Sequence, residues 1–287
     1  MSKKIFITGG SGFLGEKVVS QIVKKTSYDL IVLSRRATNS KERRIKFVKG
    51  DLLDKNSYEE YIKSADMVIH IAGKFNGNKK ELMEVNIQGT KNIVDLCKNK
   101  KLIFISSENI LFDKSVYAES KRKAEEFVKA TDKYIILRPT IIYGQNDRRN
   151  LGKFINWCKH WPIIFIPGNG KGLMRPIFVK DVASYIVNSI GYNKNAIFML
   201  GGGTIISIDN FVDEIGNILK KRIIKFHVPL FMMFPFVKLN ELLKNPIVTW
   251  NQLKNINTER LFNIDKTIKE LNHNPITIKE GLQEILK

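Results

Sequence analysis

The chain has 287 residues, 43% of them apolar, enough to bury the core of one large α/β domain or of one domain with a smaller lobe. Its formal charge of +20 favours anionic partners: nucleic acid, an anionic membrane surface or a phosphorylated small molecule. The lysines are scattered in pairs such as Lys24-Lys25, Lys79-Lys80 and Lys220-Lys221, and no block is long enough for a nucleic-acid tail, so nucleic acid is not the expected partner. Cys97 and Cys158 form no disulfide framework and fit core thiols in a reducing, cytoplasmic setting. His70, His160, His227 and His273 are far apart in sequence, so no metal site is expected. The first apolar run is only a strand long, which argues against a signal peptide, and no run reaches the ~18 residues of a membrane span.

In chain order, Lys4-Ile5-Phe6-Ile7-Thr8 predicts a short apolar strand, and Val18, Val19, Ile22 and Val23 recur at helical spacing. Between them stands Gly9-Gly10-Ser11-Gly12-Phe13-Leu14-Gly15. Strand, glycine-rich turn, helix is the context of a dinucleotide-binding turn. Gly9 suits the tight turn, Gly12 the approach of a pyrophosphate to the helix N-terminus, and Gly15 close packing of helix on strand. Strands follow at Leu30–Leu33, Ile45–Val48, Met67–Ile71, Leu102–Ile105, Tyr134–Leu137 and Ala196–Leu200. Helices are predicted over Tyr58–Ser64, Glu81–Lys98, Tyr117–Ala130 and Val179–Ile190. Alternating β-α units with near-continuous apolar strands predict a doubly wound, parallel Rossmann-type α/β sheet. Residues 1–144 with 176–201 read as the dinucleotide-binding domain. Residues 145–175 with 202–287 read as a small, mostly helical substrate lobe over the carboxyl ends of the strands, where open α/β sheets bind ligands. Within it Phe154, Trp157 and Trp161 are expected in the lobe core. The run Phe231–Leu243 reads as a helix facing that core, or else as a greasy patch touching a membrane or a partner.

The end of the second strand selects the cofactor. Asp29 lies at its amino end, the wrong end to hold a ribose. The carboxyl end runs into Ser34-Arg35-Arg36, whose guanidiniums and hydroxyl suit a 2′-phosphate, so NADP is preferred with NAD as the other reading. Asp51 and Leu52 come after the third strand, where a carboxylate and an apolar side chain can meet an adenine. Ile71-Ala72-Gly73 ends the fourth with residues small enough to let a cofactor pass. Tyr117 and Lys121 are i and i+4 and share one helix face. A free phenol has a pKa near ~10, and a neighbouring ammonium lowers it toward the range of a base. Ser106-Ser107 ends the fifth strand, and Ser107 is placed to orient a substrate oxygen toward Tyr117.

These pieces resemble the short-chain dehydrogenase/reductase superfamily, in its extended, nucleotide-sugar epimerase/dehydratase-like branch. The resemblance runs through Thr8-Gly9-Gly10-Ser11-Gly12-Phe13-Leu14-Gly15, Gly50-Asp51-Leu52, Val85-Asn86-Ile87-Gln88-Gly89-Thr90, Ser106-Ser107, Tyr117-Ala118-Glu119-Ser120-Lys121, Arg138-Pro139-Thr140-Ile141-Ile142-Tyr143-Gly144 and Phe178-Val179-Lys180-Asp181-Val182-Ala183. It implies Ser107, Tyr117 and Lys121 as catalytic residues. It also implies cofactor contacts from Gly9, Gly12, Phe13, Leu14, Gly15 and the positions already named at the strand ends, with Pro139 and Thr140 beside the nicotinamide and Asn86 building the site from behind. Two departures stand out. The segment from Ser107 to Tyr117 is shorter than the loop of sugar epimerases, and Ser107-Glu108-Asn109 stands where 4,6-dehydratases carry Thr-Asp-Glu. The implied activity is NAD(P)-dependent hydride transfer on a nucleotide-linked sugar, as an epimerase or as a reductase or dehydrogenase. The alternative is a non-catalytic, NADPH-holding scaffold like the atypical NADH-dehydrogenase accessory-subunit group. Arg149, Lys153 and Arg175, with Arg148, are candidates to clamp a substrate diphosphate. A homodimer and a peripheral membrane contact are both open readings.

Overall fold

The computed structural model describes residues 2–36, 39–147, 150–241, 250 and 261–287. The first half alternates strand and helix: β1 (Lys4–Thr8), α1 (Phe13–Lys25), β2 (Asp29–Ser34), β3 (Ile45–Lys49), α2 (Glu59–Lys63), β4 (Met67–His70), α3 (Lys79–Met83), α4 (Gly89–Leu96), β5 (Lys101–Ile105), α5 (Asn109–Phe112), α6 (Val116–Lys129) and β6 (Tyr134–Pro139). After it come β7 (Ile142–Tyr143), α7 (Asn150–His160), β8 (Ile163–Pro167), β9 (Leu173–Met174), β10 (Ile177–Phe178), α8 (Val179–Ser189), β11 (Ala196–Leu200), β12 (Ile206–Ser207), α9 (Ile208–Leu219), β13 (Ile224–Val228) and α10 (Leu230–Glu241). Two closing helices span Asp265–Leu271 and Ile278–Leu286.

Among the described residues seven strands form one sheet in the order β11-β6-β5-β4-β1-β2-β3, and every neighbour pair is parallel. The predicted doubly wound sheet is present. Its strands are apolar on both faces because helices cover both: Ile5, Phe6 and Ile7 of β1 are fully buried, as are Ile135, Ile136 and Leu137 of β6. The chain leaves β1 for β2 on one side and returns as β4 on the other. The carboxyl ends of β1 and β4, paired at Thr8 and His70, therefore flank the point where the strand order reverses. Asp29 opens β2 opposite Lys4, at the other end of the sheet.

The helix predicted over Glu81–Lys98 is not one regular α-helix. Between α3 and α4 the turn Glu84–Gln88 is a π-helix. Asn86 lies within it, fully buried, and the Thr90 hydroxyl donates to the Asn86 carbonyl (2.6 Å). Such single-turn π insertions mark functional positions.

The chain divides into two compact units. The first comprises residues 1–139, 182–200 and 264–273, and the second residues 140–181, 201–263 and 274–287. Residues 264–273 join the first unit through two side-chain bonds to main chain: the Thr267 hydroxyl donates to the Met199 carbonyl, and the Asn188 amide to that of Leu271. In the second unit α7 and α9 meet through the stacked rings of Phe154 and Phe211. Among the described residues it also holds three two-stranded ladders, β7–β10, β9–β12 and β8–β13. Cys97 and Cys158 are both buried, as expected of core thiols, and burial pushes each thiol up to about 12. Trp157 of α7 and Trp161 just after it, expected in the lobe core, are instead exposed, at 57% and 61% accessible. Phe231, Phe236 and Leu239 of α10 are exposed as well while Val237 is buried, so the described part of Phe231–Leu243 turns only one side to a core; Leu242 and Leu243 lie outside the described residues.

Candidate active site

The glycine-rich turn is dictated by backbone clearance. Gly9 has φ +73°, a left-handed value, and a Cβ there would stand 2.6 Å from the Ala72 nitrogen. A Cβ on Gly15 would stand 2.0 Å from the Gly9 carbonyl oxygen, so α1 packs onto the turn only with glycine at that position. The Gly12 amide donates to the Gly9 carbonyl (3.1 Å), and Gly12 caps α1 without any side-chain bond to the first-turn amides. Those amides and the helix dipole are the donors an anion needs. Ser11 and Gly12 are exposed, Phe13 half-buried and Leu14 buried.

The neighbouring strand ends line up beside this turn in sequence order. Ser34 closes β2, buried, with its hydroxyl accepting the Arg36 amide at 3.4 Å; Arg35 and Arg36 are exposed. Asp51 is exposed and its carboxylate accepts the Leu53 amide (2.9 Å), the bond of an Asx turn. Leu52 is buried in the sheet's core cluster, and Gly89 is glycine because a Cβ there would stand 2.5 Å from a Leu52 methyl. Ile71 and Ala72 are half-buried and Gly73 is exposed.

A hydrogen-bonded chain that sequence patterns did not reveal joins these ends. The Ala72 amide donates to the Thr8 hydroxyl (3.2 Å), which meets His70 Nδ1 (2.6 Å). His70 Nε2 meets the Thr90 hydroxyl (3.0 Å), whose proton goes to the Asn86 carbonyl. Counting donors assigns the tautomer: Thr90 has spent its proton, so His70 Nε2 donates and Nδ1 accepts from Thr8. The imidazole is neutral, because burial, seconded by the positive charge of Lys121, pushes its pKa down to about 3. The available signal was the register: Thr8 and His70 end neighbouring strands.

Asn86 ties the 72–74 segment to α6. Its side-chain oxygen accepts the Lys74 amide (2.7 Å), and its side-chain nitrogen donates to the Lys74 carbonyl (2.8 Å) and the Ser120 hydroxyl (2.9 Å). Ser120 in turn donates to the Tyr117 carbonyl. The start of α6 is fixed by Ser115, whose hydroxyl accepts the Ala118 amide as an N-cap. Tyr117 packs edge-on against Phe75, ring centroids 4.8 Å apart. One turn on, Lys121 is buried. Its ammonium donates to the Ile105 carbonyl (2.7 Å) and lies 4.6 Å from the centre of the Phe104 ring. Burial lowers its pKa to about 8, against the pull of Glu125. A Cβ on Gly73 would stand 3.2 Å from that ammonium and 3.3 Å from the Asn86 oxygen, so Gly73, Asn86 and Lys121 converge on one spot. Ser107, two residues beyond Ile105, is buried, and its hydroxyl accepts the Asn109 amide (3.2 Å). Behind α6, Arg138 grips Glu125 through both carboxylate oxygens (2.9 and 2.7 Å). Burial alone would raise the Glu125 carboxyl, but the bidentate bonds from Arg138 hold it below the usual carboxylate range.

The remaining expected residues are placed differently. Pro139 ends β6, its carbonyl accepting the Glu108 amide. In the second unit the Thr140 hydroxyl donates to the Arg175 carbonyl (2.6 Å). The Arg175 guanidinium itself donates to the carbonyls of Gly202 (2.8 Å) and Phe262 (2.7 Å), which makes it a brace for its own unit. Lys153 is exposed on α7, and Arg148 and Arg149 lie outside the described residues. Among the described residues no three His, Cys, Asp or Glu side chains cluster as metal ligands.

Residues 5–201 match the model of the NAD dependent epimerase/dehydratase family. The chain is 26% identical to the decarboxylating sterol-4-alpha-carboxylate 3-dehydrogenase of Dictyostelium discoideum, over 99% of this chain and all of the relative. It is 27% identical to the UDP-glucose 4-epimerase of Vibrio cholerae, over 83% of each. Among solved structures, the dTDP-glucose 4,6-dehydratase of Bacillus anthracis in complex with NAD superposes with a TM-score of 0.78 at 19% identity, covering 99% of this chain and 96% of that one.

Proposed function

The chain belongs to the NAD dependent epimerase/dehydratase family, and from that premise we propose that it binds a dinucleotide on its first unit and transfers hydride at a substrate carbinol carbon with Ser107, Tyr117 and Lys121 as its catalytic residues. The observation that carries the reading is the convergence of Gly73, Asn86 and Lys121 beside a turn in which Gly9 and Gly15 leave no room for a side chain. A cradle that a single Cβ would fill, next to uncapped helix amides, fits a dinucleotide diphosphate. Gly9, Gly12 and Gly15, with the backbone at Phe13 and Leu14, would hold that diphosphate. Asp51 and Leu52 would meet the adenine, and Ile71, Ala72 and Pro139 would border the nicotinamide half. Arg35 and Arg36 come directly after β2 with no acid before Glu42, which favours the 2′-phosphate of NADP over NAD.

When bound, the dinucleotide supplies the hydride acceptor or donor. The protein's own part is the proton and the alignment. Tyr117 takes the carbinol proton as the carbonyl forms and returns it in the reverse direction. Lys121 supplies positive charge one helical turn away; with its pKa near neutrality it can also pass a proton on. Ser107 orients the reacting oxygen, and Asn86, through Ser120, holds the helical turn that carries Tyr117. Phe75 restricts the phenol to one side.

The substrate reading is a nucleotide-linked sugar, supported by relatives named as UDP-glucose 4-epimerases. A second reading, a sterol-like ring alcohol, has its own support: the sterol dehydrogenase of Dictyostelium discoideum aligns end to end with this chain. Native mass spectrometry of protein purified without added cofactor, then turnover assays with UDP-sugars and with 3-hydroxysterols, test both. A bound NAD or NADP mass and turnover of one class support the proposal. An empty protein that binds neither dinucleotide overturns it. Dinucleotide binding without turnover in either class leaves the NADPH-holding scaffold as the surviving alternative.

A further inference from the structure

The second unit carries an apolar surface that its own core does not use. Trp157 of α7 and Trp161, the residue just after that helix, are one turn apart and more than half exposed. Pro162 then leads into β8, which pairs in parallel with β13, so that Ile163 faces Ile224 and Phe165 faces Phe226 across the ladder. All four are exposed, and the Phe165 and Phe226 rings lie 6.0 Å apart. The opposite face of the ladder is occupied: Ile164 and Ile166 are buried, and Lys225 and His227 bond Asp213 and Asp209 of α9. Lys221 fastens the end of α7 to the ladder by donating to the Lys159 carbonyl (2.7 Å).

Directly after β13 comes α10, LFMMFPFVKLNE, whose first two turns, Leu230–Val237, are apolar all round. A helix of that kind belongs in a core or in lipid. Yet Phe231 is 76% exposed, Phe236 75% and Leu239 68%. At 12 residues it is too short to cross a bilayer, which takes ~20. Among the described residues no helix is long and apolar enough to span a membrane. The charge along this surface is mostly positive, and the neighbouring acids Asp213 and Glu241 are paired with Lys225 and Lys238. The stretches 151–175 and 220–240, which hold all of these apolar side chains, contain Lys and Arg but no Asp or Glu.

We propose that the α7–β8–β13–α10 face of the second unit docks on the surface of an anionic phospholipid bilayer. Its aromatic side chains enter the headgroup region while the flanking lysines and arginines neutralise lipid phosphates and carboxylates. Exposed aromatic rings, a cationic rim and a short, largely apolar helix are the features of a protein that lies on a membrane without crossing it. A partner protein or a second copy would need acids to match that rim.

Sedimentation of the full chain with vesicles tests this directly. Vesicles of phosphatidylcholine with one part in three phosphatidylserine should bind the protein at least tenfold more tightly than pure phosphatidylcholine, and raised salt should weaken the binding. The pair Phe231→Ser and Phe236→Ser should lower that binding at least tenfold with no change in thermal melting. Phe165→Ser on the strand provides a second variant should the helix pair fail to fold. Lipids brominated near the headgroup should quench the tryptophan fluorescence, and the pair Trp157→Phe and Trp161→Phe should diminish that quenching to the share of Trp250, whose ring packs edge-on against Phe234 of α10. No binding to the anionic vesicles, or binding that survives both sets of serine substitutions, overturns the proposal. So does a dimer in solution that these serines dissociate, which would assign the face to a second copy of the chain.

Discussion

Lys121 is charged at neutral pH in a place that resists charge. Its ammonium has one carbonyl and one aromatic ring for company, and burial, only partly opposed by Glu125, brings its pKa from 10.5 to about 8. Below pH 8 the side chain is protonated in folded and unfolded chains alike, and the folded state carries the full penalty, about 3 kcal/mol at ~1.4 kcal/mol per pKa unit. Between pH 8 and the unfolded value near 10.5 the unfolded chain binds one more proton, so stability rises with pH at ~1.4 kcal/mol per pH unit. The sign is that of a base whose folded pKa is depressed: stability is gained, not lost, as pH climbs through this window. Lys121→Met removes the titration and leaves the Ile105 carbonyl without its donor, at a cost of about 1–3 kcal/mol. The variant should therefore be as stable as the parent, or up to about 2 kcal/mol more so, at pH 7. That advantage should shrink by about 2–3 kcal/mol by pH 10, as the parent loses its buried charge. Urea unfolding of both proteins at matched ionic strength measures it, since the titrations common to both cancel in the difference. A stability difference that stays flat from pH 7 to pH 10 would refute the burial of this charge.

Gly15→Ala should weaken dinucleotide binding at least tenfold and cost about 1–3 kcal/mol of stability, because its Cβ meets the Gly9 carbonyl at 2.0 Å and α1 must shift; fluorescence titration with NADH and NADPH reads it. Arg138→Leu leaves the Glu125 carboxylate buried without its bidentate partner and should cost about 3–5 kcal/mol at pH 7. That cost should diminish as pH falls through the carboxylate range, since Glu125 is held ionised in the folded parent and is released from that requirement once protonated. Asn86→Leu removes the bonds to Lys74 and Ser120, and should lower kcat far more than it changes dinucleotide Kd, as steady-state kinetics beside a binding titration will show. Replacing Arg35 and Arg36 by serine should lower the affinity for NADPH at least tenfold while leaving NADH within a few-fold; equal losses would remove the 2′-phosphate assignment.

Much of this architecture was legible in the residues. The strands announced themselves because parallel strands covered on both faces read as unbroken apolar runs, and β1, β4, β5 and β6 are of that kind. The glycine turn was legible because backbone contact leaves no room for a side chain, and the structure shows that contact as the 2.0 and 2.6 Å approaches at Gly15 and Gly9. Other features depend on partners that sequence spacing does not reveal. The π turn at Glu84–Gln88 has the same apolar periodicity as an α-helix, and what distinguishes it, Asn86 bonding back to Lys74, is a tertiary contact. His70 carried no local signal, since its neutral state depends on Thr8 and Thr90 from two other elements. Arg175 read as a phosphate clamp because charge is all a sequence displays, whereas two of its five donors brace the carbonyls of Gly202 and Phe262. Trp157, Trp161 and Phe231 read as core because apolar side chains usually are; only the structure shows that these three are exposed.

The central claim is that Tyr117 moves the proton while the first unit holds the dinucleotide. Tyr117→Phe keeps the ring against Phe75 and deletes only the hydroxyl. With a substrate found by the turnover assays, single-turnover absorbance of the reduced nicotinamide measures the chemical step, and a titration measures dinucleotide Kd. A proton-transferring Tyr117 predicts a loss of about 10²-fold or more in the chemical step with an unchanged Kd. Retention of the full rate, with the dinucleotide still bound, would contradict it.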